Sequence, residues 1–250
     1  FMTLLPQTRA IVTGAARKDG IGWAVAHLFI LNGAQVVLID LDQEMVQSAA
    51  TELGAAGAIA CDVSDQGAVR TAVAQAVAPL GGLDCVVNSA GIVNANRLSD
   101  ITDADWHRMI DVNLGGTFNL LQSTIPALTE GKNASFVAIS SMAGMRGGGL
   151  LGSSHYAASK AGILGLVKGA ARELGPAKIR VNALAPGIVD TSMTRGKFGP
   201  DWEKMLLDQI PLGRFASPDD IAKACLFLAS DLSCYMTGVT LDVNGGYFLH

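Results

Sequence analysis

The sequence predicts an α/β protein built on a doubly wound parallel sheet of about seven strands with helices on both faces. Three observations carry this. Short apolar strands recur without polar alternation, as in a parallel sheet covered on both sides. Helical stretches stand between them, and no linker or repeat interrupts the series, so 1–250 reads as one domain. The first strand runs into a glycine-bearing turn and then an apolar helix, the arrangement in which a helix N-terminus receives an anion.

The elements follow in order. Arg9 to Gly14 reads as a strand, Ala15 to Gly22 as a turn, and Trp23 to Leu31 as a helix. Gln35 to Ile39 is the next strand and ends at Asp40. Further strands are expected at Leu83 to Asn88, Ser135 to Ser140, Ile179 to Ala185 and Val239 to Val243. Helices are expected over about 43–53, 65–79, 103–129, 155–174 and 217–230, and Gly175-Pro176 stops the fourth of these. Ile21 to Ile39 holds no Asp, Glu, Lys or Arg and has nearly the length of a membrane span. Asn32-Gly33 breaks it, however, and Val36 to Ile39 is strand-like, so a buried helix plus a central strand is expected and no membrane segment.

Composition narrows the function. A net charge of −4 gives no basic footprint for nucleic acid. Charged residues make up 16% of the 250, below the roughly 25% of soluble domains, which suggests surface covered in an oligomer. Cys61, Cys85, Cys225 and Cys234 lack metal-ligand spacing and read as reduced, mostly buried thiols. His27, His107, His155 and His250 form no cluster, so no catalytic metal is expected, and His155 reads as a solvated loop residue. With no secretory signal at the start, a cytoplasmic location is expected. Phe1 precedes Met2 and reads as an expression remnant.

Chemistry concentrates at Tyr156-Ala157-Ala158-Ser159-Lys160. Residues four apart share a helix face, so the Lys160 ammonium can stabilise a Tyr156 phenolate and bring a group that ordinarily ionises near pH 10 into use at neutral pH. Ser140-Ser141 lies upstream. At the N-terminus, Gly14, Gly20 and Gly22 allow close backbone approach to a pyrophosphate. Asp40, roughly 20 positions past the glycines, is placed to accept from the adenosine ribose hydroxyls.

Together these residues resemble the short-chain dehydrogenase/reductase family, nearest to its 3-oxoacyl-carrier-protein reductases and secondary alcohol dehydrogenases, and the resemblance covers nearly the whole chain. Cys61-Asp62-Val63 is similar to the family's strand-end Asp beside the adenine. Asn88-Ser89-Ala90-Gly91 is similar to its NNAG segment, with Ser89 for the second Asn. Asn113, Ser141, Tyr156 and Lys160 match its catalytic tetrad, and Pro186-Gly187-Ile188-Val189-Asp190-Thr191 matches the segment flanking the nicotinamide. The resemblance implies a Rossmann fold and cofactor contacts from Gly14, Arg17, Gly20, Ile21, Asp40, Leu41, Asp62 and Val63. It adds Asn88, Ala90, Gly91, Tyr156, Lys160, Pro186, Gly187, Val189 and Thr191 to that set.

The same resemblance implies interconversion of a secondary alcohol and a ketone. Tyr156 exchanges the proton, Ser141 holds the substrate oxygen, Lys160 tunes Tyr156 and bonds the ribose, and Asn113 positions a water. It also implies a lid over 191–211 and pairing of the helix after Tyr156 with its symmetry mate in a homotetramer. The all-round apolar surface of that helix agrees with burial on more than one side.

Two departures stand out. Five residues separate Gly14 from Gly20 where the commonest family pattern has three, a length shared with the enoyl-carrier-protein reductase branch; that branch spaces its Tyr and Lys seven apart, unlike this chain. The stretch from Met145 to Gly152 is also long, and its glycines read as a pocket wall. An enoyl-thioester reductase and a noncatalytic nucleotide-binding protein are therefore the alternatives. Asp40 favours NAD, while Arg17 and Lys18 pull towards NADP; Asp40 is expected to prevail. The substrate pocket is expected from Ser141, Met142, Arg146, Leu150, His155 and the lid, with Arg146 either an anchor for an anionic substrate or a solvated side chain.

Overall fold

The structure is a computed structural model and describes residues 3–148, 152–197 and 199–249; Phe1, Leu150, Phe198 and His250 lie outside the described residues. Seven parallel strands form one sheet: β1 Arg9–Thr13, β2 Gln35–Asp40, β3 Gly57–Ala60, β4 Cys85–Asn88, β5 Ser135–Ile139, β6 Arg180–Pro186 and β7 Thr240–Val243. Their order is β3-β2-β1-β4-β5-β6-β7. The chain leaves β1 in one direction for β2 and later returns to its other side with β4, pairing Thr13 with both Ile39 and Asn88. The crevice at the carboxyl ends of β1 and β4 is where such sheets bind ligands.

Nine helices are described: α1 Ile21–Leu31, α2 Gln43–Leu53, α3 Gln66–Leu80, α4 Asp103–Ile110, α5 Gly116–Thr129, α6 Ala143–Arg146, α7 Ser154–Leu174, α8 Pro200–Asp208 and α9 Pro218–Ala229. Alternate strand residues serve opposite faces. Ala10 and Val12 belong with α1, α2 and α9, around Phe29 and Ile221. Ile11 belongs with α3, α5 and α7, around Phe136 and Ile163. Each large apolar side chain so buried contributes about 1.5–3 kcal/mol. That burial holds α1, whose N-terminus has no side-chain cap. Capping stabilises α2 and α3 instead, where Asp42 and Asp65 accept from the N–H groups of Met45 and Ala68.

At the opposite rim of the sheet, Arg9 forks onto Asp84 with Nε at 2.8 Å and Nη2 at 2.7 Å, tying β1 to the chain before β4. Burial alone would raise the Asp84 carboxyl, but hydrogen bonds from the Arg9 side chain and from the N–H groups of Lys132 and Arg9 hold it below the usual carboxylate range.

The structure corrects the sequence reading at several elements. The helix expected over 103–129 is two helices joined by a wide turn at Asp111–Gly115, in which the Gly116 N–H reaches back five residues to the Asp111 carbonyl. Such turns insert one residue and often mark functional sites. The lid region contains α8, and α6 follows Ser141 as a single turn. His155 is fully buried inside α7, where its Nδ1 pairs with Ser153 Oγ at 2.9 Å. Among the described residues no helix is long and apolar enough to cross a membrane.

Candidate active site

A cavity of about 860 Å³ opens at the carboxyl end of the sheet. Its nucleotide-like end is built from the turn after β1. Gly14 has φ +67, and a Cβ there would lie 2.8 Å from the backbone of Ser89 and Ala90. A Cβ at Gly22 would lie 2.2 Å from the Gly14 carbonyl oxygen. The turn therefore closes only with glycine at both places. It leaves the first turn of α1 without an acidic residue or a side-chain cap, so the N-terminal N–H groups and their partial positive charge suit an anion.

Asp40, closing β2, braces that turn. Its Oδ2 accepts from the Ala16 N–H at 2.9 Å and its Oδ1 from the Leu41 N–H at 2.7 Å. Each oxygen keeps a lone pair for a hydroxyl donor. The lengthened turn reaches away from Asp40. Lys18 pairs with Glu52 and lies 5.7 Å over the Trp23 ring. Asp19 accepts from the Ser192 N–H at 2.7 Å, and Arg17 donates to Ser192 Oγ at 3.2 Å, so the insertion joins the start of the 191–211 segment. Farther along the wall, hydrogen bonds from Ser64 hold the Asp62 carboxyl below its ordinary range against the opposing effect of burial.

The reacting end is organised by α7, β5 and the wide turn. Tyr156 is partly buried, with Ser141 beside it. Burial raises its phenol above the ordinary value, and the Ser141 hydroxyl only partly offsets this. Lys160, one turn on, is buried with Nζ 5.8 Å from the Tyr156 ring centre and donates to the Ile139 carbonyl at 2.9 Å. Burial pushes its ammonium down to about 8. Burial thus opposes the charged form of both groups in the free site.

Asn113 lies in the wide turn, fully buried. Its Oδ1 accepts from the Ile92 N–H at 2.8 Å, and its Nδ2 donates to Ser159 Oγ at 3.0 Å. Ser159 Oγ in turn donates to the Tyr156 carbonyl at 2.7 Å. Asn113 thus clamps the strand-end segment to α7 beneath the reacting pair.

Most residues expected at the site line this cavity. Gly14, Arg17, Gly20, Ile21, Asp40 and Leu41 form one end, and Asp62, Val63, Ala90 and Gly91 the middle. Ser141, Tyr156, Lys160, Pro186, Gly187, Val189 and Thr191 line the rest. Three expectations fall outside it. Asn88 does not line the cavity: its Oδ1 accepts from Thr13 Oγ1 at 2.6 Å and its Nδ2 donates to Thr117 Oγ1 at 2.9 Å, a buried strut between β1, β4 and α5. Asn113 lies just behind the wall. His155 points into packing rather than the pocket. Sequence reasoning missed Tyr247, brought in from beyond β7, and Arg108; neither belongs to a local pattern.

Comparison with known proteins agrees with this geometry. A family profile described as enoyl-(acyl carrier protein) reductase matches residues 14–248. A short-chain type dehydrogenase/reductase of Sinorhizobium fredii is 41% identical over 252 residues, covering 99% of this chain and 100% of that protein. A 3-oxoacyl-[acyl-carrier-protein] reductase of Chlamydia muridarum is 40% identical over 249 residues, covering 98% of each. Among solved structures, a short-chain dehydrogenase/reductase of Brucella melitensis described as glucose/ribitol dehydrogenase superposes with a TM-score of 0.89 at 36% identity over 100% of both chains. With a sheet reversing direction beside β1, a glycine turn braced by an acid, and relatives matching end to end, this chain belongs to the short-chain dehydrogenase/reductase family of nicotinamide-dependent oxidoreductases.

Proposed function

We propose that the protein interconverts a secondary alcohol and a ketone, with NAD(H) as the preferred cofactor. The observation that carries this is the convergence of Ser141, Tyr156 and Lys160 on one cavity that also holds the uncapped start of α1. The nucleotide end fits a dinucleotide: a side chain at Gly14 or Gly22 would fill the cradle, and Asp40 offers acceptors where a ribose would present hydroxyls. When bound, the nicotinamide supplies or accepts the hydride.

The chain's own residues do the rest. Ser141 Oγ donates to the substrate oxygen and stabilises negative charge as it develops there. Tyr156 gives its proton to that oxygen in reduction, and burial keeps the phenol protonated at neutral pH. In oxidation the same phenol must be ionised, which requires positive charge nearby. Lys160 provides it by turning its ammonium from the Ile139 carbonyl towards Tyr156. Asn113 and Ser159 fix the pitch of α7 so that the pair keeps its spacing. Asp40 repels a 2′-phosphate, while Lys18, engaged with Glu52, offers such a phosphate little.

We read the chain as one catalytic domain. The outward side of α7 carries exposed Ala158, Ala161, Gly165 and Gly169, and we read this stripe as a helix-pairing face in a homo-oligomer; sedimentation showing only monomer at micromolar concentration would oppose it. The enoyl-thioester alternative draws on the five-residue turn and on the family profile's description. Following oxidation of the reduced nicotinamide with a ketone panel and an enoyl thioester tests both. Turnover of ketones alone supports the reading, turnover of the thioester alone replaces it, and turnover of neither with intact cofactor binding leaves a nucleotide-binding protein.

A further inference from the structure

Arg146 is a cation of the cavity wall that this chemistry does not use. It closes α6, the single turn after Ser141. Its guanidinium carbon lies 4.7 Å from the centre of the Tyr247 ring. Tyr247 is held there by the chain after β7: its N–H donates to the Asn244 carbonyl at 3.1 Å, and Asn244 Nδ2 donates to the Phe248 carbonyl at 3.0 Å. Gly246 packs the same segment against Pro211 at the end of the lid region. A guanidinium over an aromatic ring keeps N–H donors for another partner, and Arg146 is exposed on this wall. Among the described residues no carboxylate lies within ion-pair distance of it.

The other cations lining the cavity are engaged elsewhere. Arg17 donates to Ser192, Arg108 lies beside Asp62, and Lys160 donates to the Ile139 carbonyl. Arg146 shares its cavity with apolar lining: Met142 starts its turn, and the 191–211 segment contributes Met193, Met205 and Leu206. Methionine walls adapt to hydrocarbon of varied length.

We propose that Arg146, steadied by Tyr247, binds the carboxylate of a substrate whose reacting carbonyl or alcohol is separated from that carboxylate by an apolar chain. This rests on the alcohol–ketone reading above. One free fork matches one bidentate carboxylate, whereas a phosphate dianion would call for a second cation that this end of the cavity lacks. Arg146 is a specificity residue here: it holds the far end of the substrate, and Ser141 and Tyr156 act at the near end.

The test compares straight-chain oxo acids of increasing length, their methyl esters, and phosphate monoesters of hydroxyketones, with wild type, R146M, R146K and Y247L. Wild type is expected to favour acid over ester at the length that spans the two ends. R146M should lower the acid-to-ester ratio of kcat/KM by about ten- to hundredfold, chiefly through KM. R146K should restore part of the ratio, and Y247L should lower it less than R146M. Equal use of acid and ester by wild type, an unchanged ratio in R146M, or a preference for the phosphate esters would each overturn the proposal. If no ketone is turned over although NADH binds, the alcohol–ketone reading fails instead. Quenching of bound-NADH fluorescence by the acids then decides: loss of that quenching in R146M sustains the carboxylate site, and no quenching in wild type removes it.

Discussion

At the nucleotide end of the cavity, Asp40 meets two backbone N–H groups, Asp62 meets Ser64, and Thr13, Asn88 and Thr117 bond one another behind the wall. At the other end, Arg146 lies over the Tyr247 ring, and the cavity there also takes in Met193, Met205 and Leu206. Polar groups bonded in pairs fix a geometry to a few tenths of an ångström, because leaving any one of them unpaired in a buried place costs about 1–3 kcal/mol. Apolar walls of flexible side chains fix a volume but no single shape. The first end suits a ligand that never changes; the second suits a ligand that differs between relatives sharing one fold.

The largest expected effect isolates the reacting group between these ends. Tyr156→Phe removes a proton and little volume, so kcat should fall by about 10²–10⁴-fold or more while NADH titration stays nearly unchanged. Lys160→Ala should damage both. A Phe variant with near wild-type kcat would remove Tyr156 from the acid/base role and leave the comparison without its midpoint.

Glycine substitutions separate the two ends directly. A Cβ at Gly22 would meet the backbone oxygen of Gly14, whereas a Cβ at Gly152 would lie 2.3 Å from the Tyr156 ring. Gly22→Ala should therefore abolish NADH binding, measured by fluorescence. Gly152→Ala should retain binding and lower kcat about 10²-fold, the scale of a 1 Å misplacement. Loss of binding in both would mean that the ends are not independent.

Cofactor choice and pH sharpen the nucleotide end. Asp40→Ala should shift the NADH-to-NADPH ratio of kcat/KM about ten- to hundredfold towards NADPH, as expected for losing a charge-assisted hydrogen bond and a repulsion. Lys160 carries a pKa lowered to about 8 in the free site, so it is charged below that pH and neutral above it. Nucleotide affinity of the free enzyme should fall as pH rises through about 8, and the dependence should vanish in Lys160→Met; a flat profile in the wild type would remove the ammonium from nucleotide binding.

The smallest effect tests the joint between turn and lid. Asp19→Ala removes bonds to Ser192 and an ion pair with Arg195 at 3.6 Å, all at the surface. Exposed pairs of this kind contribute about 0–1 kcal/mol, so stopped-flow release of NADH should quicken only a few-fold.

The same division governs what the sequence makes legible. Gly14, Gly22, Asp40, Tyr156 and Lys160 act through local spacing, and local spacing survives in a linear chain. Arg146 and Tyr247 are separated in the chain by β6 and β7, and nothing at either position announces the other. His155 reads as solvated because a polar residue beside a loop ordinarily is; in the fold it is fully buried at the start of α7. Asn88 has the right neighbours for cofactor contact but a strand gives it two possible faces, and Thr13 and Thr117 take the inward one. The wide turn at 111–115 leaves no mark in helical periodicity strong enough to part α4 from α5.

That turn sets the phase of everything after it. A regular α-helix advances about 100° per residue, so the extra residue within Asp111–Gly115 rotates α5 by that angle relative to a continuous α4. With this rotation, Leu120, Leu121 and Leu128 face the sheet while Asn113 still reaches Ile92 and Ser159. Deleting one residue there would heal the helix and put the two halves out of step: either the leucines turn from the core, or Asn113 lets go of α7. The helix behaves as a screw with one thread cut wide, and the timing of the whole reacting end is read from that cut.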